Sequence, residues 1–280
     1  MMQKLFGVAC VALIACAKSA SAQTPLDNVD QKCVNAMNKD TSQIQAAKGK
    51  LDAGCVNAQE KRKLMSAAAC ISADAHQKVS KAVAKIQSDD TKHCPDVPAF
   101  AYTGHSAAGT AAQTAEANFL QDMVGSPTDS GLFDCQTQPT QCACQLHVIP
   151  RAENLLRTLE AEFIRCKVAV LAVGKTGNAF PMGAAVNAGD VGRCVTDGTI
   201  TQSVQADPKQ AFQKSTTLFQ EADQKVCNGG EFNSGACSAA DFATRETCFI
   251  EHAKCRFCQM ANAADNLSVD CTTWSGITCP

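Results

Sequence analysis

The sequence predicts an all-α protein that consists of two disulfide-clamped antiparallel helical hairpins and a cysteine-rich helical C-terminal segment. The first observation is the spacing of apolar residues, which recur every three or four positions, as on the buried face of a helix. The second is the number of cysteines, 18 in 280 residues, which indicates a disulfide framework. The third is an internal duplication, in which part of the first hairpin recurs in the second.

The first 22 residues have the pattern of a signal peptide. Lys4 precedes an apolar run over residues 5–17 that is too short to span a bilayer, and Ala20 and Ala22 form an A-x-A cleavage site. An alternative stays open, because residues 13–16 have the form of a bacterial lipobox, which would make Cys16 the site of lipid attachment. Both interpretations predict an exported protein, either periplasmic, extracellular or held at the outer surface as a lipoprotein.

Composition and charge narrow the range of functions. The chain carries 25 basic and 27 acidic side chains, without the basic excess that is typical of nucleic-acid binders. No segment after the leader is apolar enough to predict a transmembrane helix. Cys10 and Cys16 belong to the leader, and the sixteen cysteines that remain predict up to eight bridges in an oxidising compartment.

The duplication is clearest in a stretch of 21 residues. Residues 74–94 and 207–227 align without a gap and share seven identities. The identical pairs are Asp74/Asp207, Gln77/Gln210, Lys81/Lys214, Gln87/Gln220, Asp90/Asp223, Lys92/Lys225 and Cys94/Cys227. The first helix of each copy is aligned mainly by its cysteines, since Cys33 and Cys55 are separated by the same 22 positions as Cys144 and Cys166.

Each hairpin is predicted from two apolar stripes and the connection between them. The first hairpin is expected within residues 23–98 and the second within residues 142–230. Asp74 has the position of a helix cap in the first copy, and Asp207 followed by Pro208 marks a helix start in the second. When two helices fold back on each other, the start of one lies beside the end of the other. The bridges that this geometry predicts are Cys33–Cys94, Cys55–Cys70, Cys144–Cys227 and Cys166–Cys194.

Residues 99–141, between the hairpins, are predicted to form a connector rich in small residues. Phe119, Leu120 and Met123 predict a helix over residues 107–123 with a modest apolar face. Cys135 and Cys142 flank a polar loop and are candidates to close it. Further on, the Gly-, Ala- and Asn-rich residues 174–192 predict a surface loop inside the second copy.

The C-terminal segment, residues 231–280, is dense in cysteine. A helix is predicted over residues 239–267, and it places Cys248, Cys255 and Cys258 on one face. The chain after this helix is expected to be bridged back onto it. The partners stay open, because six cysteines allow 15 connectivities. The cysteines concerned are Cys237, Cys248, Cys255, Cys258, Cys271 and Cys279.

The end of the chain resembles a C-terminal motif of secreted, cysteine-rich proteins of some environmental bacteria. The residues that carry the resemblance are Cys255, Cys258, the run from Asn262 to Leu267, Asp270, Cys271 and Cys279. The resemblance covers these 25 residues well, and it extends to the hairpins only in general style. It implies a bacterial, exported and helical protein, and it implies no particular activity or cofactor.

Three short patterns have the spacing of chemical sites, and each has a less specific explanation. His252, Cys255 and Cys258 follow one another at intervals of three and are candidate metal ligands, although exported cysteines are more often bridged. Cys255 and Cys258 also have the spacing of a redox pair, but the strand that precedes such a pair in thioredoxin-like proteins is not predicted. Residues 169–176, which include Lys175, fit a relaxed phosphate-loop pattern, but the residues at its start continue a helical stripe.

These observations favour a role without catalysis. The five histidines are scattered, and the sequence predicts no catalytic residue, no cofactor and no resident metal. The predicted function is that of an exported, disulfide-rich structural or interaction protein of the cell envelope or exterior, whose partner is a protein or an envelope component. The alternative is a module that binds a small ligand or a metal through the cysteine-rich tail. An enzyme with an unrecognised site is the least favoured interpretation.

Overall fold

The computed structural model describes residues 24–172, 183–227, 232, 235–238 and 241–280. The predicted leader, the alternative lipid-attachment site Cys16, and Lys175 with the second half of its pattern lie outside these residues. The described chain is helical and contains no strand, as expected for the predicted all-α class. None of the helices described combines the length and the apolar character that a membrane crossing requires.

The first copy consists of α1 (Asn28–Glu60), α2 (Ala67–Ala73) and α3 (Lys78–His93). α1 begins where the Asp27 carboxylate accepts hydrogen bonds from two backbone N–H groups of the first turn, both at 2.8 Å. It runs for 33 residues and extends beyond both of its cysteines. The long helix packs against α3, and α2 lies in the connection between them, so these elements form the first predicted hairpin.

The predicted connector contains a core helix, α4 (His105–Val124), and the stretch predicted as helical lies within it. α4 packs against α1. Small residues form much of its buried face: Ala108, Gly109, Ala111, Ala112 and Ala115. Such small side chains let neighbouring helices come close together. More of α4 is therefore buried than its few large apolar residues indicate. A short 3-10 helix, Thr128–Gly131, follows.

The second copy consists of α5 (Pro139–Leu171), α6 (Ala188–Thr196) and α7 (Ala211–Val226). α5 has the 33 residues of α1, and α7 has the 16 residues of α3. The loop predicted over residues 174–192 is wrong for its last residues, because α6 begins at Ala188. The reason is a cap, in which the side chain of Asn187 accepts a hydrogen bond from the N–H of Asp190 at 2.9 Å.

The second helix of each hairpin starts later than predicted. α3 begins four residues after Asp74, and α7 begins four residues after Asp207, so Pro208 lies before the helix and not in its first turn. Both aspartates have a φ of 39°, and the glutamine three residues later also has a positive φ in both copies. Each carboxylate still accepts hydrogen bonds from the first turn, at 2.9 Å from the N–H of Lys78 and at 2.7 Å from that of Ala211. The aspartates therefore cap the helices from outside their first turn.

The buried faces of α1 and α5 match position by position when their cysteines are aligned. Every buried residue of α1 except Asp40 has a buried counterpart 111 residues later in α5. The residue types differ, since Asn38, Gln45, Lys48 and Asp52 of α1 align with Ile149, Leu156, Leu159 and Phe163 of α5. The duplication therefore includes the first helix, for which the sequence offered little beyond the cysteines.

The C-terminal segment contains α8 (Phe242–Asp265) and α9 (Cys271–Ser275). α8 lies within the stretch predicted as helical. It packs against α4, its counterpart in the first copy, and α5 likewise packs against its counterpart α1. α4 and α8 each follow a hairpin and each contact its first helix, so we interpret them as the fourth helix of the two copies. One continuous cluster of buried apolar side chains runs through both copies.

Candidate functional site

Every cysteine from Cys33 onward is in a disulfide. The pairs within the hairpins are those that the hairpin geometry predicts, namely Cys33–Cys94, Cys55–Cys70, Cys144–Cys227 and Cys166–Cys194. We call Cys33–Cys94 and Cys144–Cys227 the end bridges, and their Cα–Cα distances are 4.8 and 4.9 Å. Cys55–Cys70 and Cys166–Cys194 are the middle bridges, and the Cα–Cα distance is 5.7 Å in both. The remaining bridges are Cys135–Cys142, Cys237–Cys248, Cys255–Cys279 and Cys258–Cys271.

Among the candidate metal ligands in the tail, His252, Cys255 and Cys258, the disulfides occupy both sulfur atoms. Cys255 and Cys258 are both bonded to other cysteines, so neither sulfur is a thiolate that can bind a metal or exchange a disulfide. His252 lies beside the Cys237–Cys248 bridge. Its Nδ1 atom is 2.9 Å from a carboxylate oxygen of Asp122 on α4, so this histidine joins two helices.

Asp122 is the centre of a polar contact between α4 and α8. Arg256 donates two hydrogen bonds to its carboxylate, at 2.7 and 2.8 Å. Burial alone would raise the pKa of Asp122, but the contacts with Arg256 and His252 outweigh it and lower that pKa. Arg256 also donates a hydrogen bond to the carbonyl oxygen of Pro280 at 2.9 Å, which ties the last described residue to α8.

Two pockets open at the surface close to the tail. One is a groove of about 710 Å³ between α4 and α8, whose lining includes Thr110 and Met260. The other has a volume of about 590 Å³ and lies between α6 and the tail, where Arg193, Val269 and Trp274 contribute to its wall. Both volumes are in the range of small-molecule sites.

Trp274, the single tryptophan of the chain, is held in place at the tail pocket. Its ring packs edge-on against Phe257, with 5.6 Å between the ring centroids. Its Nε1 donates a hydrogen bond to Gln205 at 3.1 Å, and the Nζ atom of Lys254 lies 5.9 Å from the ring centroid. A fixed aromatic side chain beside a polar wall can hold a small organic molecule by stacking.

A cluster of carboxylates lies inside the core, on the helices α1, α4 and α5. The carboxylate cluster consists of Asp52, Glu116, Glu153 and Glu160, and none of these residues is more than 5% exposed. Glu116 and Glu153 lie close to Gly49 of α1. A Cβ atom there would lie 3.1 Å from Oε2 of Glu116 and 3.5 Å from Oε2 of Glu153. Carboxylates from α4 and α5 therefore both pack against the backbone of α1 at Gly49, where a side chain would press against them.

The cluster has more negative than positive groups close to it. Lys48 is the nearest cation, and its Nζ lies 2.5 Å from both carboxylate oxygens of Asp52. Glu116 has both oxygens buried, and within the described chain neither accepts a hydrogen bond. Burial raises the pKa of Glu116 and of Glu153 well above the usual range, and the neighbouring carboxylates raise it further.

A second buried ion pair joins α5 to α8 and also contacts α1. The Nζ atom of Lys167 lies 2.5 Å from Asp265 and 2.7 Å from the side-chain oxygen of Asn38. Burial lowers the pKa of Lys167 and raises that of Asp265. Burial also raises the pKa of Glu160 to about 8. Glu160 and Thr41 line a small cavity of about 10 Å³ beside this pair, roughly the space of one water molecule.

Sequence reasoning missed the carboxylate cluster, although a signal was present. Glu153 and Glu160 lie seven residues apart in α5, so they share the face that also carries Leu156. An acidic residue inside an apolar stripe is unusual, because an ionised carboxyl is costly to bury. Attention to the polar exceptions within each stripe would have found these two residues. Glu116 lies in the alanine-rich α4, where the sequence shows no such contrast.

The chemistry open to these side chains follows from their donor atoms. Buried carboxylates bind protons or cations that prefer oxygen ligands. The tail pocket combines the ring of Trp274 with polar groups such as that of Arg193, which suits a small organic molecule. Comparison of the chain with protein-family models, with curated proteins and with solved structures finds no match.

Proposed function

We propose that this chain is an exported, disulfide-braced protein that serves without catalysis as a structural or interaction component of the cell envelope or exterior. The observation that carries the proposal is the set of eight disulfides, which close both ends of each hairpin and clamp the tail. Disulfides at this density form and persist in oxidising compartments such as the periplasm and the exterior.

The placement of the bridges suits a scaffold that keeps its shape outside the cell. The end bridges of the two hairpins span 61 and 83 residues, and in the chain-entropy view each contributes about 4 kcal/mol to stability. The hairpins are also joined to each other by a shared apolar core. Local opening of one helix is therefore opposed by both covalent and packing contacts, which supports a role as a rigid surface for a protein or envelope partner.

The test begins with the location and the redox state of the chain. We expect a bacterial host that receives the full sequence to place the chain outside the cytoplasm, with no cysteine reacting with a thiol reagent before reduction. Peptide mapping without reduction should recover Cys33 joined to Cys94 and Cys144 joined to Cys227. A cytoplasmic chain with free thiols would overturn the proposal.

The interaction role needs a second measurement. Crosslinking in intact cells should capture the chain with a reproducible envelope partner, and the purified pair should associate again in solution. A reduced and alkylated chain is the control, since it lacks the braces and should not bind. A chain that stays alone in cells and binds only small molecules would contradict the interaction role.

A second candidate function, binding of a small ligand at the tail, is favoured by the pocket of about 590 Å³ that includes Trp274. Because the chain has one tryptophan, its tryptophan emission comes from this pocket alone. A ligand that binds there should change the intensity or the emission maximum of Trp274. The matched variant Trp274→Phe separates loss of the signal from loss of binding when affinity is measured by calorimetry.

A further inference from the structure

The turn between α1 and α2 carries basic and apolar side chains side by side. Lys61, Arg62 and Lys63 form the longest run of basic residues in the sequence, and all three are exposed. Leu64 and Met65 follow directly, and they are 38% and 98% exposed. We call these five residues the basic tip. Among the large apolar side chains of the described residues, Met65 is the most exposed, so the strongest basic run and the most exposed apolar residue coincide.

Hydrogen bonds and an ion pair hold the basic tip in shape. The backbone N–H groups of Lys63 and Leu64 both donate to the carbonyl oxygen of Ala58, at 2.8 and 3.2 Å, so the turn folds back onto the end of α1. The guanidinium of Arg62 forms an ion pair with Asp134, which joins the tip to the segment before α5. The exposed side chains are therefore presented by an ordered turn.

The surroundings leave the basic tip with an excess of positive charge. The two acidic side chains of the neighbouring segment are already engaged, since Asp134 pairs with Arg62 and Asp129 accepts a hydrogen bond from the N–H of Ala68 at 2.9 Å. The lysines of the tip form no ion pair within the described chain. Glu60, the residue before the tip, is buried, and burial raises its pKa to about 8, so it is mostly uncharged at neutral pH.

The apolar surface of the tip continues into a pocket of about 340 Å³, whose lining includes Leu64, Met65, Leu132 and Phe133. A single exposed apolar side chain is ordinary, whereas an adjacent pair that leads into an apolar pocket indicates a contact surface. An acidic protein would pair with the lysines and leave the apolar pair without a role. A lipid surface suits both, because anionic headgroups attract lysine and the acyl boundary accepts apolar side chains.

We propose that the basic tip docks the chain onto a membrane surface that contains anionic phospholipid, with Lys61 and Lys63 at the headgroups and Met65 at the boundary of the acyl chains. The inference rests on the proposed envelope role and names the envelope component as a lipid surface. The contact is confined to one turn, so the helices stay outside the bilayer. Such docking is reversible, because a few charges and two apolar side chains bind far more weakly than a transmembrane helix does.

The test measures how the purified chain from Gln23 onward, with its disulfides intact, binds to lipid vesicles. The chain should sediment with vesicles of phosphatidylglycerol mixed with phosphatidylcholine, and it should stay in solution with vesicles of phosphatidylcholine alone. Binding to the mixed vesicles should weaken as the ionic strength rises, because salt screens the attraction between lysines and headgroups. A chain that binds neither kind of vesicle, or both equally well, would overturn the proposal.

Matched variants decide whether the basic tip makes the contact. Lys61→Gln/Lys63→Gln should weaken vesicle binding about 30-fold, since each lysine near an anionic surface contributes about fivefold. Met65→Ser should weaken it about tenfold through the loss of apolar contact, and the fold should not change because Met65 is 98% exposed. The control Lys50→Gln/Lys81→Gln removes two exposed lysines elsewhere on the first hairpin and should bind nearly as the wild type does. Equal losses in the two lysine variants would contradict docking through the tip.

A tryptophan placed in the tip reports on its insertion. In a Trp274→Phe background, the emission of Met65→Trp should move to shorter wavelength when mixed vesicles are added, because the ring leaves water. Leu218→Trp is the control in the same background, since Leu218 is 57% exposed on α7, and its emission should not move. No shift in Met65→Trp, or the same shift in both, would overturn the proposal. These measurements use purified protein, so their outcome is independent of where cells place the chain, which tests the envelope role.

Discussion

The two copies of the repeat have the same arrangement of helices, but the contacts that hold the fourth helix differ between them. Asp90 and Asp223 occupy the same position of the repeat, near the end of α3 and of α7. Asp90 accepts hydrogen bonds from Tyr102 and from the backbone N–H of His105, at the start of α4. Asp223 accepts two hydrogen bonds from Arg245, in the first turn of α8, at 2.7 and 2.8 Å. One carboxylate position thus fastens the next helix in both copies.

The two contacts differ in their exposure to solvent. The imidazole of His105 is 37% exposed, whereas the side chains of Asp223 and Arg245 are fully buried. Burial works to raise the pKa of Asp90, but the hydrogen bonds from Tyr102 and His105 prevail and lower it. The same position of the repeat therefore holds the next helix in both copies, but with different partners and at different exposure. We expect the buried contact of Asp223 with Arg245 to contribute more to stability than the contacts of Asp90.

Removal of Arg245 is expected to have the largest effect on this comparison. Arg245→Ala removes the guanidinium that donates two hydrogen bonds to the buried carboxylate of Asp223, which should lower the free energy of unfolding by about 3–5 kcal/mol. The matched change in the first copy, Tyr102→Phe, removes one hydrogen bond to a charged group and should cost about 1.5 kcal/mol. Urea unfolding at pH 7 with the disulfides closed measures both.

A paired replacement separates a broken contact from a disturbed core. Asp223→Leu/Arg245→Met removes both charges together and should recover most of the loss caused by Arg245→Ala, since apolar replacements of buried ion pairs are often nearly neutral. Equal losses for Arg245→Ala and Tyr102→Phe would show that the buried anchor is worth no more than the hydrated one.

The middle bridges test whether the longer connection of the second copy matters. Cys55–Cys70 closes 15 residues and Cys166–Cys194 closes 28. Replacing both cysteines of either bridge by alanine should lower stability by about 3 kcal/mol, and by about half a kcal/mol more in the second copy, since loop-closure entropy grows slowly with length. Denaturant midpoints of the two double variants give the comparison. If the loss of stability in the second copy were several times larger, its bridge would also hold the folded structure in place, beyond restricting the unfolded chain.

The last residues of α1 and α5 offer a test by pH. Glu60 is buried at the position that Leu171 occupies in the second copy, and its oxygens accept no hydrogen bond from the described chain. Burial raises the pKa of Glu60 to about 8, against the opposing influence of Lys61. Because the folded carboxyl holds its proton more tightly than the unfolded one, stability should fall as the pH rises from about 4.5 to about 8.

The variant Glu60→Gln removes this titration. It should be close to the wild type at pH 4.5 and exceed it by a few kcal/mol at pH 8.5. Glu60→Leu, which gives the first copy the residue type of the second, should show the same loss of pH dependence. Thermal melts across this range in EDTA provide the measurement, and a wild-type profile parallel to that of Glu60→Gln would contradict the assignment.

How far the sequence predicts this structure depends on the kind of signal. Cysteines at equal spacing and a helical period are local patterns, so the hairpins and their bridging geometry could be predicted from them. The sequence predicts α4 only as part of a connector, because alanines give little contrast between the faces of a helix, although small residues suit a tightly packed interior. The carboxylate cluster could not be predicted as a cluster, because Asp52, Glu116 and Glu153 meet only through packing between three helices.

The smallest expected effect is at the two capping residues, Asp74 and Asp207, and it tests whether the two copies have equivalent caps. Asp74→Ala and Asp207→Ala each remove a carboxylate that accepts backbone N–H groups of the first turn, so each should cost about 1 kcal/mol. Asp74 also accepts a hydrogen bond from the hydroxyl of Ser80 at 2.8 Å, where the second copy has Gln213. The loss should therefore be a few tenths of a kcal/mol larger in the first copy. In a Ser80→Ala background this excess should vanish, because both caps then bind only backbone donors. An excess that persists there would place the difference in the positive-φ backbone of the turn and not in the side-chain contact.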